Sequence, residues 1–88
     1  MAKPYLISYD LDKPGQNYTR LIARLQAHGA VRVLLSQWAL SSTWSAEQLR
    51  NDLQAYMDSN DRILVVEISG QWAYANILAP DSFKQIAA

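Results

Sequence analysis

Two hydrophobic patterns, the alternation of a β-strand and the three-and-four spacing of a helix, follow one another along this chain of 88 residues. Their order restricts the fold more than any other feature of the sequence. Residues 4–11 alternate their side chains as a β-strand does. Pro14 and Gly15 then favour a turn. Residues 17–29 place apolar side chains three and four positions apart, which indicates an amphipathic helix with Asn17 as its cap. A strand followed by a helix is therefore the first predicted unit.

The same succession continues after a β-rich stretch that covers residues 30–43. Its length favours two short strands joined tightly at residues 36–37, and one long bent strand is the alternative. Ser45 and Gln48 have the spacing of a capping box, in which each side chain binds the backbone of the other residue. A second helix is therefore predicted to begin there and to end near residues 59–60.

The C-terminal third of the sequence predicts a β-hairpin. Residues 62–69 and 72–78 are both β-rich, and the dipeptide between them suits a tight turn. Residues 79–88 predict a short helix or a loose tail. The order is thus β-α-β-β-α-β with an extra C-terminal strand. It predicts one α+β domain of the ferredoxin-like class over residues 1–88, with two helices covering one face of an antiparallel sheet.

Both faces of the predicted sheet are apolar. In the fourth predicted strand, for example, Ile63 and Val65 alternate with Leu64 and Val66. Two helices cover only one face, so something else must cover the other. The chain also has no cysteine, and therefore no disulfide to stabilise so small a domain. A homodimer packed sheet against sheet is the economical prediction.

The charge balance bears on the class of partner. Eight basic and eight acidic residues give a formal net charge of zero, whereas proteins that wrap duplex nucleic acid usually carry a basic excess. The N-terminal residues lack the pattern of a signal peptide, and no stretch approaches the roughly 20 apolar residues of a membrane span. We therefore expect a cytoplasmic protein with no membrane partner. No glycine pattern predicts an organic cofactor.

The stretch YLISYD at residues 5–10 is followed by a helix, by VRVLLSQW at residues 31–38, by a capped helix and by a hairpin. This order resembles the superfamily of CRISPR-associated protein two and the virulence-associated protein D ribonucleases. The likeness runs over roughly residues 4–78, chiefly as a pattern of elements. Its specific part is Tyr9-Asp10 after the hydrophobic residues of the first strand, and Ser36 in the second β segment, where the family has a polar residue before an aromatic one. The resemblance implies a ferredoxin-like homodimer, as a stand-alone relative of these proteins.

The resemblance also implies a role for Asp10. In family members that are nucleases, the two copies of this aspartate face each other across the dimer axis and can hold Mg²⁺ or Mn²⁺ between them. Asp10 would then be both the metal ligand and the catalytic residue of a divalent-metal-dependent endoribonuclease or nuclease. Its alternative role is to accept backbone N–H groups at the turn. The alternative function is a non-catalytic dimeric adaptor that binds a protein partner, or a scaffold associated with nucleic acid.

Basic side chains supply the candidate contacts to RNA or DNA. Arg20, Arg24 and His28 recur four residues apart on the polar face of the first predicted helix, and such a stripe can follow phosphates. Arg32 and Ser36 complete the predicted nucleic-acid-binding set. The alternative is a solvated helix face, with the later basic residues stabilising the negative end of the helix. The tryptophans and tyrosines could stack on unpaired bases, but core or dimer packing is their commoner role.

Overall fold

Four strands and three helices make up the part of the chain that the computed structural model describes, residues 1–12 and 18–88. The strands are β1 (Lys3–Asp10), β2 (Val31–Leu34), β3 (Gln37–Ser42) and β4 (Arg62–Glu67), and the helices are α1 (Thr19–Ala27), α2 (Ala46–Gln54) and α3 (Pro80–Ala87). The predicted turn at Pro14 and Gly15 and the predicted cap Asn17 lie outside the described residues. Within those residues, no helix has both the length and the apolar composition that crossing a bilayer requires.

The four strands form one antiparallel sheet in the order β2-β3-β1-β4. β1 lies inside the sheet, where Ile7 is paired with Trp38 of β3 on one side and with Val65 of β4 on the other. The sequence of elements up to β4 is β-α-β-β-α-β, which confirms the predicted ferredoxin-like α+β class. The register also places Asp10 opposite Arg62 at one end of the sheet.

The main core lies between the sheet and helices α1 and α2. Alternate side chains of β1 point to this side, and Ile7 is completely buried there. Leu25 of α1 and Leu53 of α2 are also completely buried. Burial of each such side chain stabilises the fold by about 1.5 to 3 kcal/mol. The buried members of this core are Tyr5, Ile7, Tyr9, Leu21, Leu25, Ala30, Trp38, Leu40, Leu49 and Leu53.

Two local predictions about the middle of the chain are confirmed. β2 ends at Leu34 and β3 begins at Gln37, so the β-rich stretch is two short strands joined by a tight turn. The capping box at the start of α2 is formed, because Ser45 Oγ accepts from the Gln48 N–H at 3.1 Å and Gln48 Oε1 accepts from the Ser45 N–H at 2.9 Å. α2 ends at Gln54, earlier than predicted.

The predicted fifth strand is not formed, and this part of the prediction was wrong. Gly70, with φ at +76°, follows β4, and residues 71–78 then cross the second face of the sheet. The crossing starts beside β1, where the Ile68 N–H donates to the Pro4 carbonyl at 2.8 Å. It finishes at the opposite edge strand, where the Leu78 N–H donates to the Val33 carbonyl at 2.9 Å. We call residues 71–78 the crossing segment.

The C-terminal residues form a helix that packs on the same second face. Phe83 of α3 is buried against Val33 and Ala39, which makes a second, smaller core. The chain therefore covers part of the second face by itself, which the sequence did not predict. The covered part includes Leu6, and the part around Ser8 is left open.

The remaining part of this face we call the open sheet surface, and it consists of Ser8, Asp10, Gln37, Arg62 and Leu64. These residues lie together because Ser8 pairs with Gln37 and with Leu64, and Asp10 pairs with Arg62. Side chains alternate along a strand, so the even-numbered residues of β1 all point to this side. The leucine is the apolar member of the surface and is 60% exposed.

Candidate functional site

The open sheet surface contains a shallow recess at the end of β1. Its volume is about 360 Å³, and it brings together the predicted metal ligand Asp10 and the predicted nucleic-acid contact Ser36. Ser36 reaches this place because the β2–β3 turn folds back on β1, where the Tyr9 N–H donates to the Ser36 carbonyl at 3.1 Å. The residues that line the recess are Ser8, Tyr9, Asp10, Ser36, Gln37, Arg62, Ile63 and Leu64.

Asp10 is held loosely. Its side chain is 80% exposed, and its Oδ2 lies 3.7 Å from Arg62 Nη1. An ion pair this exposed contributes at most about 1 kcal/mol to stability. The carboxylate is therefore available to a ligand, and replacing it should leave the fold intact.

The carboxylate that binds the backbone at this end of the sheet is Asp61. Its Oδ1 accepts from the Asp12 N–H at 2.7 Å and from the Tyr18 hydroxyl at 3.1 Å, and its Oδ2 accepts from the Asp58 N–H at 2.7 Å. Burial raises the pKa of Asp61, but these hydrogen bonds outweigh burial and hold the pKa below its ordinary value. Sequence reasoning missed this residue, for which the polar run after α2 is the only local signal.

The described residues do not assemble a metal site within one protomer. In residues 1–12 and 18–88, no three His, Asp or Glu side chains come close enough together to hold an ion. The charged side chain beside Asp10 is Arg62, which would repel a metal ion. Mg²⁺ is usually held by one or two carboxylates together with water, and a second copy of the chain would be one source of another carboxylate beside Asp10.

Arg24 and His28 join two helices. Arg24 Nε and Nη2 donate to the Asp52 carboxylate of α2 at 2.7 and 2.8 Å, and His28 Nε2 lies 2.7 Å from Asp52 Oδ2. The hydrogen bond from Arg24, together with that from His28, outweighs burial and holds the pKa of Asp52 below its ordinary value. Arg24 is thus engaged in an α1–α2 contact that is only partly exposed.

The other two predicted arginines also lie apart from the recess. The guanidinium of Arg20 lies over the ring of Tyr56, 5.3 Å from its centroid. That of Arg32 lies 4.8 Å from the ring centroid of Trp38, a member of the main core. The helix side of the sheet therefore carries these arginines, whereas Asp10 belongs to the open side. Of the predicted set, the structure brings together Asp10 and Ser36 and separates them from Arg20, Arg24 and Arg32.

Comparisons with known proteins bear on the fold. No protein-family model matches this chain. The crystal structure of a hypothetical protein TT1823 from Thermus thermophilus is similar to it, with a TM-score of 0.69 and 20% sequence identity, over 86% of this chain and 93% of that chain. At this level of identity the likeness shows a shared fold, and it supports the α+β architecture described above.

Proposed function

We propose that this protein is a homodimeric, non-catalytic binding module whose two copies meet through the open sheet surface. The observation that carries the proposal is the exposure of Leu64, 60%, in the open part of an otherwise covered sheet face. Leu34 at the end of β2 and Leu35 in the turn that follows it are further exposed leucines, at 44% and 82%. An apolar side chain this exposed in the middle of a sheet face is stabilised when a second surface covers it.

The charges of the molecule favour a second copy over nucleic acid as the occupant of this surface. The formal net charge is zero, and the predicted phosphate-binding arginines lie elsewhere. A two-fold contact places the same patch against itself, so each of its charges meets the patch of the other copy. Asp10 and Arg62 are opposite in sign and adjacent, so two copies of this pair are complementary.

A protein partner of the dimer can bind at the outer edge of β4. This strand ends the sheet order, and its central residues Ile63 to Val66 are all apolar. Among the described residues, no strand pairs with that edge. Addition of a strand by a partner would satisfy the free backbone groups and cover the apolar side chains. This edge supports the adaptor role rather than an enzymatic one.

The proposed dimer is tested by Leu64→Glu. A carboxylate buried in the interface lacks a partner, so the dimer dissociation constant is expected to rise roughly tenfold or more. Sedimentation equilibrium measures this directly, because the wild type should have twice the 9.9 kDa mass of one chain. Leu78→Glu is the matched control, since Leu78 is an exposed leucine outside the open sheet surface and is 49% exposed. A monomeric wild type, or equal weakening by both substitutions, would contradict the proposal.

A nuclease is the second candidate function, and the position of Asp10 favours it. Asp10 lies on the same face as Leu64, so a dimer formed through that face has both copies of the aspartate at its interface. Two carboxylates can share Mg²⁺ or Mn²⁺, which would activate water and stabilise charge on a phosphate. The Ser36 hydroxyl and the Gln37 amide line the same recess and could bind the phosphate. The resemblance to the CRISPR-associated protein two superfamily makes RNA the first substrate to test.

Asp10→Asn tests the nuclease. If the shared site exists, metal-dependent cleavage of labelled single-stranded RNA or duplex DNA should fall roughly a hundredfold or more, because the substitution removes the charge that holds the ion. Asp81→Asn removes another exposed carboxylate, at the start of α3, and should cleave as the wild type does. Both variants are first matched to the wild type in oligomeric mass. Cleavage that survives in Asp10→Asn, or no cleavage by the wild type, leaves the binding module as the function.

A further inference from the structure

The crossing segment forms a half-open cavity against the second face of the sheet, next to the recess around Asp10. The volume of this cavity is about 360 Å³, within the range of small-molecule sites. Leu6, Val33 and Val66 form its floor on the sheet, and Trp72 and Tyr74 of the crossing segment form its wall. A single protomer supplies both sides, so the cavity exists without a dimer.

The aromatic wall is held in a fixed orientation. The rings of Trp72 and Tyr74 are nearly parallel, at 7°, with their centroids 6.1 Å apart. Phe83 stands edge-on to both, at 86° and 88°, and is itself buried in the second core. Trp72 and Tyr74 nevertheless remain 40% and 36% exposed, so part of each ring has no protein contact. Rings oriented in this way can stack on another ring or pack against its edge.

The lining of the cavity disfavours a charged ligand. Every residue that lines the cavity is uncharged, and Gln37 supplies its one amide side chain. Lys84 contacts the ring of Tyr74, at 5.9 Å from the centroid, but does not line the cavity. A charged ligand would lose its hydration without gaining an ion pair, whereas an apolar ring loses little.

We propose that this cavity is a binding site for a small, uncharged, ring-containing apolar molecule. The ring packs between the sheet floor and the rings of Trp72 and Tyr74, and one polar group of the ligand faces the amide of Gln37. Both walls of the cavity belong to the same protomer, and Gln37 is the residue that it shares with the open sheet surface.

The probe for this site is N-phenyl-1-naphthylamine, a neutral aromatic compound that fluoresces in apolar surroundings. Titration of the 88-residue chain should saturate at one probe per chain. Val66→Phe fills the floor of the cavity and should weaken binding roughly tenfold. Leu64→Phe is the matched control: it enlarges the next side chain on the same face of the same strand, outside the cavity, and should bind within about threefold of the wild type.

A second variant guards against a folding defect in Val66→Phe. Ala75→Leu fills the cavity from the crossing segment, at an exposed position, and should weaken the probe in the same way. Binding that fails to saturate, or that both filling variants leave unchanged, would overturn the site. Equal loss in Leu64→Phe would show that the probe occupies the open sheet surface and would also overturn it. The dimer-breaking Leu64→Glu should still bind the probe, which separates this site from the proposed dimer.

Discussion

Truncation of Phe83 to alanine is expected to lower the free energy of unfolding by about 3 kcal/mol, the usual cost of removing a buried aromatic ring. Phe83 is the buried residue of α3, and it packs on Val33 and Ala39 while the rings of Trp72 and Tyr74 stand against it. Its loss removes the centre of the second core. Urea denaturation followed by far-ultraviolet circular dichroism measures the change.

Phe83→Ala should also loosen the region around α3 more than the rest of the fold. In hydrogen-exchange measurements on the variant, the Leu78 amide should exchange faster than in the wild type, because its hydrogen bond to the Val33 carbonyl depends on the packing of the crossing segment. The exchange rates of the β1 amides should change less. Ile86→Ala on the same helix is the control, because Ile86 is only partly buried and should cost less. Equal stability of Phe83→Ala and the wild type would show that α3 does not pack on the sheet.

Neutralisation of Asp52 is expected to cost about 2 kcal/mol at pH 7, because Asp52→Asn leaves Arg24 and His28 without their shared carboxylate. The folded pKa of Asp52 lies below the unfolded value of about 3.9, so its charge stabilises the fold above that pH. That contribution is lost as the pH falls through the folded pKa. The stability difference between wild type and variant should therefore be full at pH 7 and shrink below about pH 4.

A double-mutant cycle separates this pair from general charge effects. The double variant Arg24→Gln/Asp52→Asn should lose less stability than the sum of the losses in the two single variants, because the two residues share one interaction. Asp58→Asn is the control for removing an exposed acid. Additive single and double mutants would rule out the coupling, and a difference that stays constant down to low pH would rule out the titration of Asp52.

Local chemistry was sufficient to predict most of the fold from the sequence. The capping box of Ser45 and Gln48, the tight turn between β2 and β3, and the strand spacing of β1 all depend on contacts within a few residues. Such contacts are visible in the order of the side chains alone. The ferredoxin-like class followed from the order of these units, and the sheet confirms it.

The local sequence pattern of the crossing segment did not determine its structure. Its alternating apolar residues suit a strand at a sheet edge, but they suit equally a chain laid across a sheet face. Burial decided between the two, because Phe83 and the rings of Trp72 and Tyr74 together cover apolar side chains that α1 and α2 cannot reach. A hairpin would have left that face without cover from the same chain.

For the candidate site too, one part could be predicted from the sequence and another part depended on the tertiary structure. The sequence by itself determined the fold class and placed Asp10 at a strand end, and the tertiary structure put Ser36 beside it. Only the tertiary structure decided that Arg24 binds Asp52, 28 residues away, and that Asp61 binds the backbone at Asp12, 49 residues away. Pairing of charges depends on distance in space, and residues so far apart in the chain carry no local sign of their partner.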